Sequence, residues 1–248
     1  MGLYPAPRLL PAGDGAVSVE LGDEISREAN ARALTLERLL VDARLPGLVD
    51  TVPTFRALLV HYDPLVLPWS ALHARLLELC GRLADALPPP GRQVELPCAY
   101  GGEHGPDLAE VARRLDLTPA EVVDLHAGAE HYVYFVGFTP GLPYMAGQPA
   151  RLTIPRLDRP RTKTPAGSVG IGGTQTSIYS VESPGGFWLL GRTPLRLYDP
   201  AAAEPILLRA GDRVRFRPID ASSFDVIAAE VAAGVSPRIT GRPPGTPA

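Results

Sequence analysis

The sequence predicts an α+β protein made of two domains. Apolar residues at helical spacing are found mainly in the first 90 residues, whereas short apolar segments separated by glycine and proline dominate beyond residue 131. A proline-rich stretch at 88–91 separates the two patterns. We therefore expect a first domain at 1–90, a second domain at 91–236 and a loosely ordered tail at 237–248.

The first domain shows alternating strand and helix patterns. Strands are indicated by short apolar segments, and helices by apolar residues that recur every three to four positions. Ser70 is a suitable N-cap for the second helix. The predicted elements are a strand at 16–21, a helix at 25–42, strands at 48–52 and 56–61, a helix from Ser70 and, just after the proline-rich stretch that marks the approximate boundary, a strand at 93–97. This β-α-β-β-α-β order is that of ferredoxin-like domains.

The second domain begins with two short helices, at 106–115 and 119–127. Thr118 and Glu121 have the spacing of a capping box, with a proline at the first helical position. Six short apolar segments then predict strands, and they are typical of a β barrel or a β sandwich. These strands are expected at 132–136, 167–171, 176–179, 187–191, 195–198 and 213–217.

The composition excludes several classes of protein. Hydrophobic residues make up 45% of the chain, and the net charge is -3 with arginines interspersed among carboxylates, which disfavours nucleic acid as a partner. No secretion signal and no apolar stretch of about 18 residues is found, so a cytoplasmic protein without a membrane span is expected. Cys80 and Cys98 lack the spacing of a zinc or redox motif.

The densest group of unusual motifs runs from 135 to 199. Its many glycines beside polar residues indicate either backbone held close to a ligand or tight turns in a small barrel. Lys163 is the one lysine among 24 basic residues, and its compact charge suits phosphate or carboxylate recognition. Four arginines would complete an anion clamp, although each alone could also form a surface salt bridge; they are Arg156, Arg159, Arg161 and Arg192.

His131 begins the first predicted barrel strand and is a candidate acid or base, with a core histidine as the alternative. The five histidines show no metal-ligand spacing, and GxSxG, Walker A and GxGxxG motifs in their proper context are lacking. The residues themselves therefore predict a binding site without naming its reaction.

Four motifs together carry a family resemblance. Phe-Val-Gly-Phe-Thr-Pro-Gly-Leu-Pro-Tyr at 135–144, Pro-Ala-Gly-Ser-Val-Gly-Ile at 165–171, Glu-Ser-Pro-Gly-Gly at 182–186 and Gly-Arg-Thr-Pro-Leu-Arg-Leu-Tyr-Asp at 191–199 resemble the family of 5-oxoprolinase B subunits. This family is also called allophanate hydrolase subunit 1 and includes a sporulation kinase inhibitor. The resemblance extends to Gly-Pro-Asp-Leu at 105–108.

The resemblance implies a ferredoxin-like N-terminal domain followed by a cyclophilin-like β barrel. It also implies ATP-dependent hydrolysis of 5-oxoproline to glutamate together with the A and C subunits of 5-oxoprolinase, with ATP and Mg²⁺ held partly by those partners and no activity of this chain alone. Two alternatives stay open. One is a regulatory protein that inhibits a sensor histidine kinase, and the other is a component of a urea carboxylase or allophanate hydrolase-type system.

The motifs and the resemblance together select the candidate site residues. Lys163 and His131 are the candidate catalytic residues, and no metal ligand is assigned. The candidate substrate-binding residues are Phe138, Tyr144, Arg156, Arg161, Ser168, Gln175, Ser183, Gly185, Gly186, Arg192 and Thr193.

Overall fold

A computed structural model describes residues 2–84 and 91–235. The chain divides into two compact units, Met1–Pro90 and Gly91–Ala248. The loosely ordered tail expected at 237–248 lies outside the described residues. Within the described ranges, no helix combines the length and the apolar character that crossing a membrane requires.

In the described part of the first unit, residues 2–84 form a four-stranded antiparallel sheet with two helices. Its strands lie in the order β1-β2-β4-β3. Apolar side chains of the sheet and the helices form one core, which includes the fully buried Val19, Leu36, Leu58 and Leu76. The elements are β1 (Leu3–Pro11), β2 (Ala16–Gly22), α1 (Arg27–Ala43), β3 (Leu48–Pro53), β4 (Ala57–Tyr62) and α2 (Trp69–Gly81).

The β-α-β-β-α-β order predicted for this unit is wrong in its last strand. The segment 93–97 does form a strand, but that strand belongs to the second unit. The fourth strand of the sheet is β1, which pairs with β2. Pro5, Pro7 and Pro11 concealed β1 at the level of sequence, because proline is disfavoured in strands but tolerated at a sheet edge.

The second unit contains a closed barrel of seven strands in the order β10-β7-β6-β13-β5-β12-β9. The α+β class is thus confirmed, with a barrel rather than a sandwich. Strands β8 and β11 form a separate two-stranded sheet. The strands are β5 (Gln93–Tyr100), β6 (His131–Val136), β7 (Pro143–Ala146), β8 (Arg161–Thr164), β9 (Ser168–Gly172), β10 (Gln175–Ile178), β11 (Ser183–Gly185), β12 (Trp188–Arg192) and β13 (Arg213–Ile219).

Between residues 91 and 235, three α-helices accompany the barrel: α3 (Leu108–Arg114), α4 (Pro119–Ala127) and α5 (Ala221–Ala232). The capping box at Thr118 and Glu121 forms as predicted and begins α4. Helix α5 was not predicted; its N-cap is Asp220, whose side chain accepts a hydrogen bond from Ser223 N. The strand predicted at 195–198 is wrong, because Leu195 and Leu197 enter the barrel core from an irregular segment.

Candidate functional site

A pocket of about 280 Å³ lies in the second unit, beside the motifs at 135–144 and 182–186. Its lining is mostly aromatic and glycine-rich, with one cationic side chain. The lining residues are Phe138, Leu142, Tyr144, Arg156, Pro160, Ser177, Tyr179, Pro184, Gly185, Gly186 and Phe187. A small apolar cavity with a few polar groups is the usual form of a small-molecule site.

Arg156 is the cation of this pocket. Its Nη2 donates a hydrogen bond to Gln175 Oε1 at 2.9 Å, and its guanidinium lies 4.7 Å from the centre of the Phe187 ring. A Cβ on Gly172 would come within 3.0 Å of both the Phe187 ring and the Arg156 side chain. Gly172 therefore makes room for the stacked pair, and the hydrogen bond to Gln175 orients the guanidinium, a group that can bind anions.

Tyr179 is a buried polar residue of the pocket lining and is only 4% exposed. Burial raises the pKa of the Tyr179 phenol above its usual value near 10, so the hydroxyl keeps its proton at neutral pH. Its oxygen accepts a hydrogen bond from Phe187 N at 3.4 Å. A protonated phenol in this position is a suitable donor to a ligand carbonyl or carboxylate oxygen.

Phe138 lies at the pocket in a strained backbone conformation. Its φ is +66°, a region that bulky side chains rarely adopt, and its side chain is 71% exposed. The turn is held by a hydrogen bond from Gly137 N to Leu142 O and by one between the hydroxyls of Thr139 and Ser180. This backbone conformation places the exposed Phe138 ring at the pocket.

The pocket brings together five of the predicted binding residues, namely Phe138, Tyr144, Arg156, Gly185 and Gly186. Two aromatic residues of the lining, Tyr179 and Phe187, were not predicted, because they lie outside the motifs from which the candidate residues were taken. The two missed aromatic residues lie within a few positions of the glycine-rich motif at 182–186, which was the available signal.

The other predicted binding residues lie outside the pocket lining. Ser168, Ser183 and Thr193 are buried, with Thr193 Oγ1 accepting a hydrogen bond from Leu195 N. Arg192 Nε donates to Ala166 O at 2.8 Å. Arg161 forms an ion pair with Asp107 at 2.6 Å. These contacts hold the strands and loops around the pocket in place.

Lys163 also lies outside the pocket lining, on β8. Its side chain is 78% exposed, and its Nζ lies 3.3 Å from Glu182 Oε1. An exposed ion pair of this kind contributes about 0–1 kcal/mol to stability. The catalytic role predicted for Lys163 therefore requires that its ammonium meet a group outside this chain.

Lys163→Met tests that requirement. The urea midpoint of unfolding should stay unchanged, because the pair is exposed and the aliphatic stem is kept. If the ammonium contacts substrate or a partner, activity measured in the reconstituted complex should fall about tenfold, the loss expected for one charge-assisted contact. Full activity of an assembled complex that contains Lys163→Met would show that Lys163 has no catalytic role.

His131 is fully buried rather than facing the pocket. Its Nε2 lies 3.0 Å from His126 O, so it donates to that carbonyl. The two imidazole rings are 4.7 Å apart, and both pack against Phe216. His126 Nδ1 in turn lies 2.8 Å from the hydroxyl of Tyr100. This environment is that of a core histidine, the alternative to the predicted acid or base.

The buried histidines predict acid sensitivity. Burial lowers the pKa of His126 and His131 below 6.5, so both are neutral in the fold and take up protons on unfolding. Their stabilising contribution is present above pH 6.5 and is lost as the pH falls. The free energy of unfolding should decrease between about pH 6.5 and 5, by up to about 1.4 kcal/mol per histidine per pH unit.

Urea unfolding at several pH values measures this dependence. His131→Phe should retain the aromatic packing and make the pH dependence shallower. A slope that is equal in wild type and variant would contradict the assignment.

The described residues do not assemble a metal site. Between residues 2 and 84 and between 91 and 235, no group of three or more His, Cys, Asp or Glu side chains lies close enough together to hold a metal ion. The pocket lining likewise contains one cation and no carboxylate. Neither a Mg²⁺ ion nor the several charges of a nucleotide phosphate chain fits this donor set.

Comparison with known proteins finds one matching family and several similar proteins. Residues 7–208 match the family described as carboxyltransferase domain, subdomain C and D. The chain is 38% identical to the 5-oxoprolinase B subunit of Bacillus subtilis (strain 168), covering 86% of this chain and 92% of that protein. It is 43% identical to the 5-oxoprolinase B subunit of Escherichia coli O157:H7, covering 83% and 93%.

One solved structure and one more distant relative are also similar to this chain. The crystal structure of TTHA0988 is 40% identical with a TM-score of 0.74, and the match covers 83% of this chain and 40% of that chain. This chain thus spans well under half of that longer polypeptide. A putative urea carboxylase of Emericella nidulans is 29% identical over 161 residues, which cover 56% of this chain and 13% of that protein.

Proposed function

Because this chain belongs to the carboxyltransferase subdomain C and D family, we propose that it is the B subunit of an ATP-dependent 5-oxoprolinase. The observation that carries the proposal is the near full-length similarity to 5-oxoprolinase B subunits of two bacteria, at 38% and 43% identity. The match to a urea carboxylase is weaker and shorter, and it favours a shared ancestry more than a shared substrate.

The pocket supports this function by its size and chemistry. 5-Oxoproline is a small lactam ring that carries one carboxylate. In our proposal the Arg156 guanidinium binds the carboxylate, the Phe187 and Tyr144 rings enclose the lactam, and the Tyr179 hydroxyl donates to an oxygen of the ligand. The single cation of the lining matches the single charge of the substrate.

The second part of the proposal concerns Mg²⁺-ATP. Amide hydrolysis driven by ATP requires groups that bind phosphates and Mg²⁺, and among the described residues no group of three or more His, Cys, Asp or Glu side chains is placed to hold a metal ion. We propose that the A and C subunits hold Mg²⁺-ATP, and that the complex acts in the cytoplasm. The role of this chain is then to bind 5-oxoproline and to orient its ring for the reaction with ATP and water.

Assembly is the first test of this proposal. A tagged form of this chain, co-expressed with the A and C subunits from the same genome, should retain at least one of them through affinity and size-exclusion chromatography. The purified chain alone should release no glutamate from 5-oxoproline and ATP. Robust glutamate release by the single chain would contradict the proposed division of labour.

A further inference from the structure

Asp107 is a buried carboxylate in the Gly-Pro-Asp-Leu motif, and its side chain is not used to cap helix α3 although it occupies the N-cap position. The residue is 8% exposed. Its Oδ1 accepts a hydrogen bond from Arg161 Nη2 at 2.6 Å, and its Oδ2 accepts one from Leu189 N at 2.7 Å. The carboxylate therefore joins the Arg161 side chain to the beginning of β12.

Arg161 extends this connection to the pocket. Its Nη1 donates to Phe187 O at 3.3 Å, while its Nη2 is bound by Asp107. Phe187 is a pocket residue and carries the ring on which Arg156 stacks. The planar guanidinium thus bridges the carboxylate and the backbone of the pocket wall, a geometry that the ammonium of lysine does not reproduce.

Two walls of the pocket meet at this ion pair. One wall is the segment 155–161, which carries Arg156 and Pro160, and the other is the segment 185–189, which carries Phe187. Hydrogen bonds from Leu157 N to Gly186 O and from Trp188 Nε1 to Pro155 O also join the two segments. Asp107 and Arg161 add the charged connection between them.

The backbone of the motif explains why the carboxylate reaches this position. A Cβ on Gly105 would lie 1.9 Å from Leu190 O, so only glycine allows the chain to approach β12 so closely. Asp107 N then donates to Leu189 O, which places the carboxylate beside Arg161. The Gly-Pro-Asp-Leu motif, to which the proposed function assigned no role, therefore places the Asp107 carboxylate beside Arg161.

We infer that Asp107 is a positioning residue of the pocket, which through Arg161 holds the Arg156 segment against the Phe187 segment. The positioning itself depends only on the contacts described above. Its consequence for 5-oxoproline binding rests on the proposed function.

The test uses Asp107→Asn together with a matched buried carboxylate. Asparagine can still accept from Leu189 N, but its amide nitrogen cannot accept from Arg161. Asp212 is 2% exposed, is paired with Arg92 at 2.6 Å and does not line the pocket, so Asp212→Asn removes an equivalent ion pair elsewhere in the same unit. Both variants should lower the urea midpoint, which controls for loss of stability.

The direct readout is ¹⁹F NMR of protein labelled with 5-fluorotryptophan. The chain has two tryptophans, so Trp188 reports on the pocket walls and Trp69 serves as an internal reference. Asp107→Asn should shift or broaden the Trp188 resonance and leave that of Trp69 unchanged, whereas Asp212→Asn should change neither. An unchanged Trp188 resonance in Asp107→Asn, or an equal change in Asp212→Asn, would overturn the inference. If Asp107→Asn fails to fold, Arg161→Lys replaces it, and the same change of the Trp188 resonance is expected.

The functional readout separates this inference from the proposed function. In the reconstituted complex, Asp107→Asn should raise the KM for 5-oxoproline about tenfold with kcat within about twofold, and Asp212→Asn should change neither. A displaced Trp188 resonance with an unchanged KM would uphold the positioning role and contradict the placement of the substrate in this pocket.

Discussion

Gly185→Ala should lower kcat/KM of the reconstituted complex about a hundredfold. A Cβ at this position would lie 1.9 Å from the Tyr179 hydroxyl and 2.3 Å from its Cζ. Because Tyr179 is buried, its ring cannot move aside without disturbing the pocket. Overpacking of this kind costs about 1–3 kcal/mol, so both the pocket geometry and the stability should suffer.

Gly186→Ala is the matched control for this effect. The nearest atoms to a Cβ at Gly186 are 3.7 Å away, which is ordinary van der Waals contact. The control variant should therefore keep the wild-type unfolding midpoint, and its activity should stay within about threefold of wild type. Steady-state kinetics and urea unfolding of both variants measure these effects. A fully active Gly185→Ala complex would show that the pocket wall at Gly185 does not face the substrate.

Arg156→Met should raise the KM for 5-oxoproline about thirtyfold. The substitution removes the cation of the pocket lining and keeps much of the aliphatic stem over Phe187. A charge-assisted hydrogen bond contributes about 1.5–3 kcal/mol, which corresponds to a loss of this size. Stability should change little, because the side chain is exposed.

Arg159→Met provides the control for Arg156→Met. Arg159 is an exposed arginine of the same segment and does not line the pocket. Its substitution removes the same charge from the protein, so long-range electrostatic effects would appear in both variants. An equal rise of KM in the two variants would contradict a direct contact between Arg156 and the substrate carboxylate.

Much of the fold was predictable because the signals were local. The helix α4 has its capping box, and α1 repeats buried apolar residues such as Ala33, Leu36 and Leu40 at helical spacing. The sheet of the first unit was mispredicted because strand order is set by long-range pairing. The proline-rich β1 completes the sheet at its edge, where missing N–H donors cost little.

The site was predictable only in part, for a physical reason. Glycine-rich motifs identify where backbones approach closely, and they led to Gly185 and Gly186, which line the pocket. They do not say which cations face a cavity, because Arg156, Arg161 and Lys163 lie close together in sequence and point to three different environments. That distinction arises from tertiary contacts such as the buried carboxylate of Asp107.

The most direct test of the central proposal is ATP-dependent glutamate release by the complex of this chain with its A and C subunits. 5-Oxoproline and urea should be compared as substrates, with and without this chain. The proposal predicts glutamate formation from 5-oxoproline that requires this chain and is accompanied by ATP hydrolysis, with urea inactive. Turnover of urea in place of 5-oxoproline, or glutamate release that is undiminished when this chain is omitted, would contradict it.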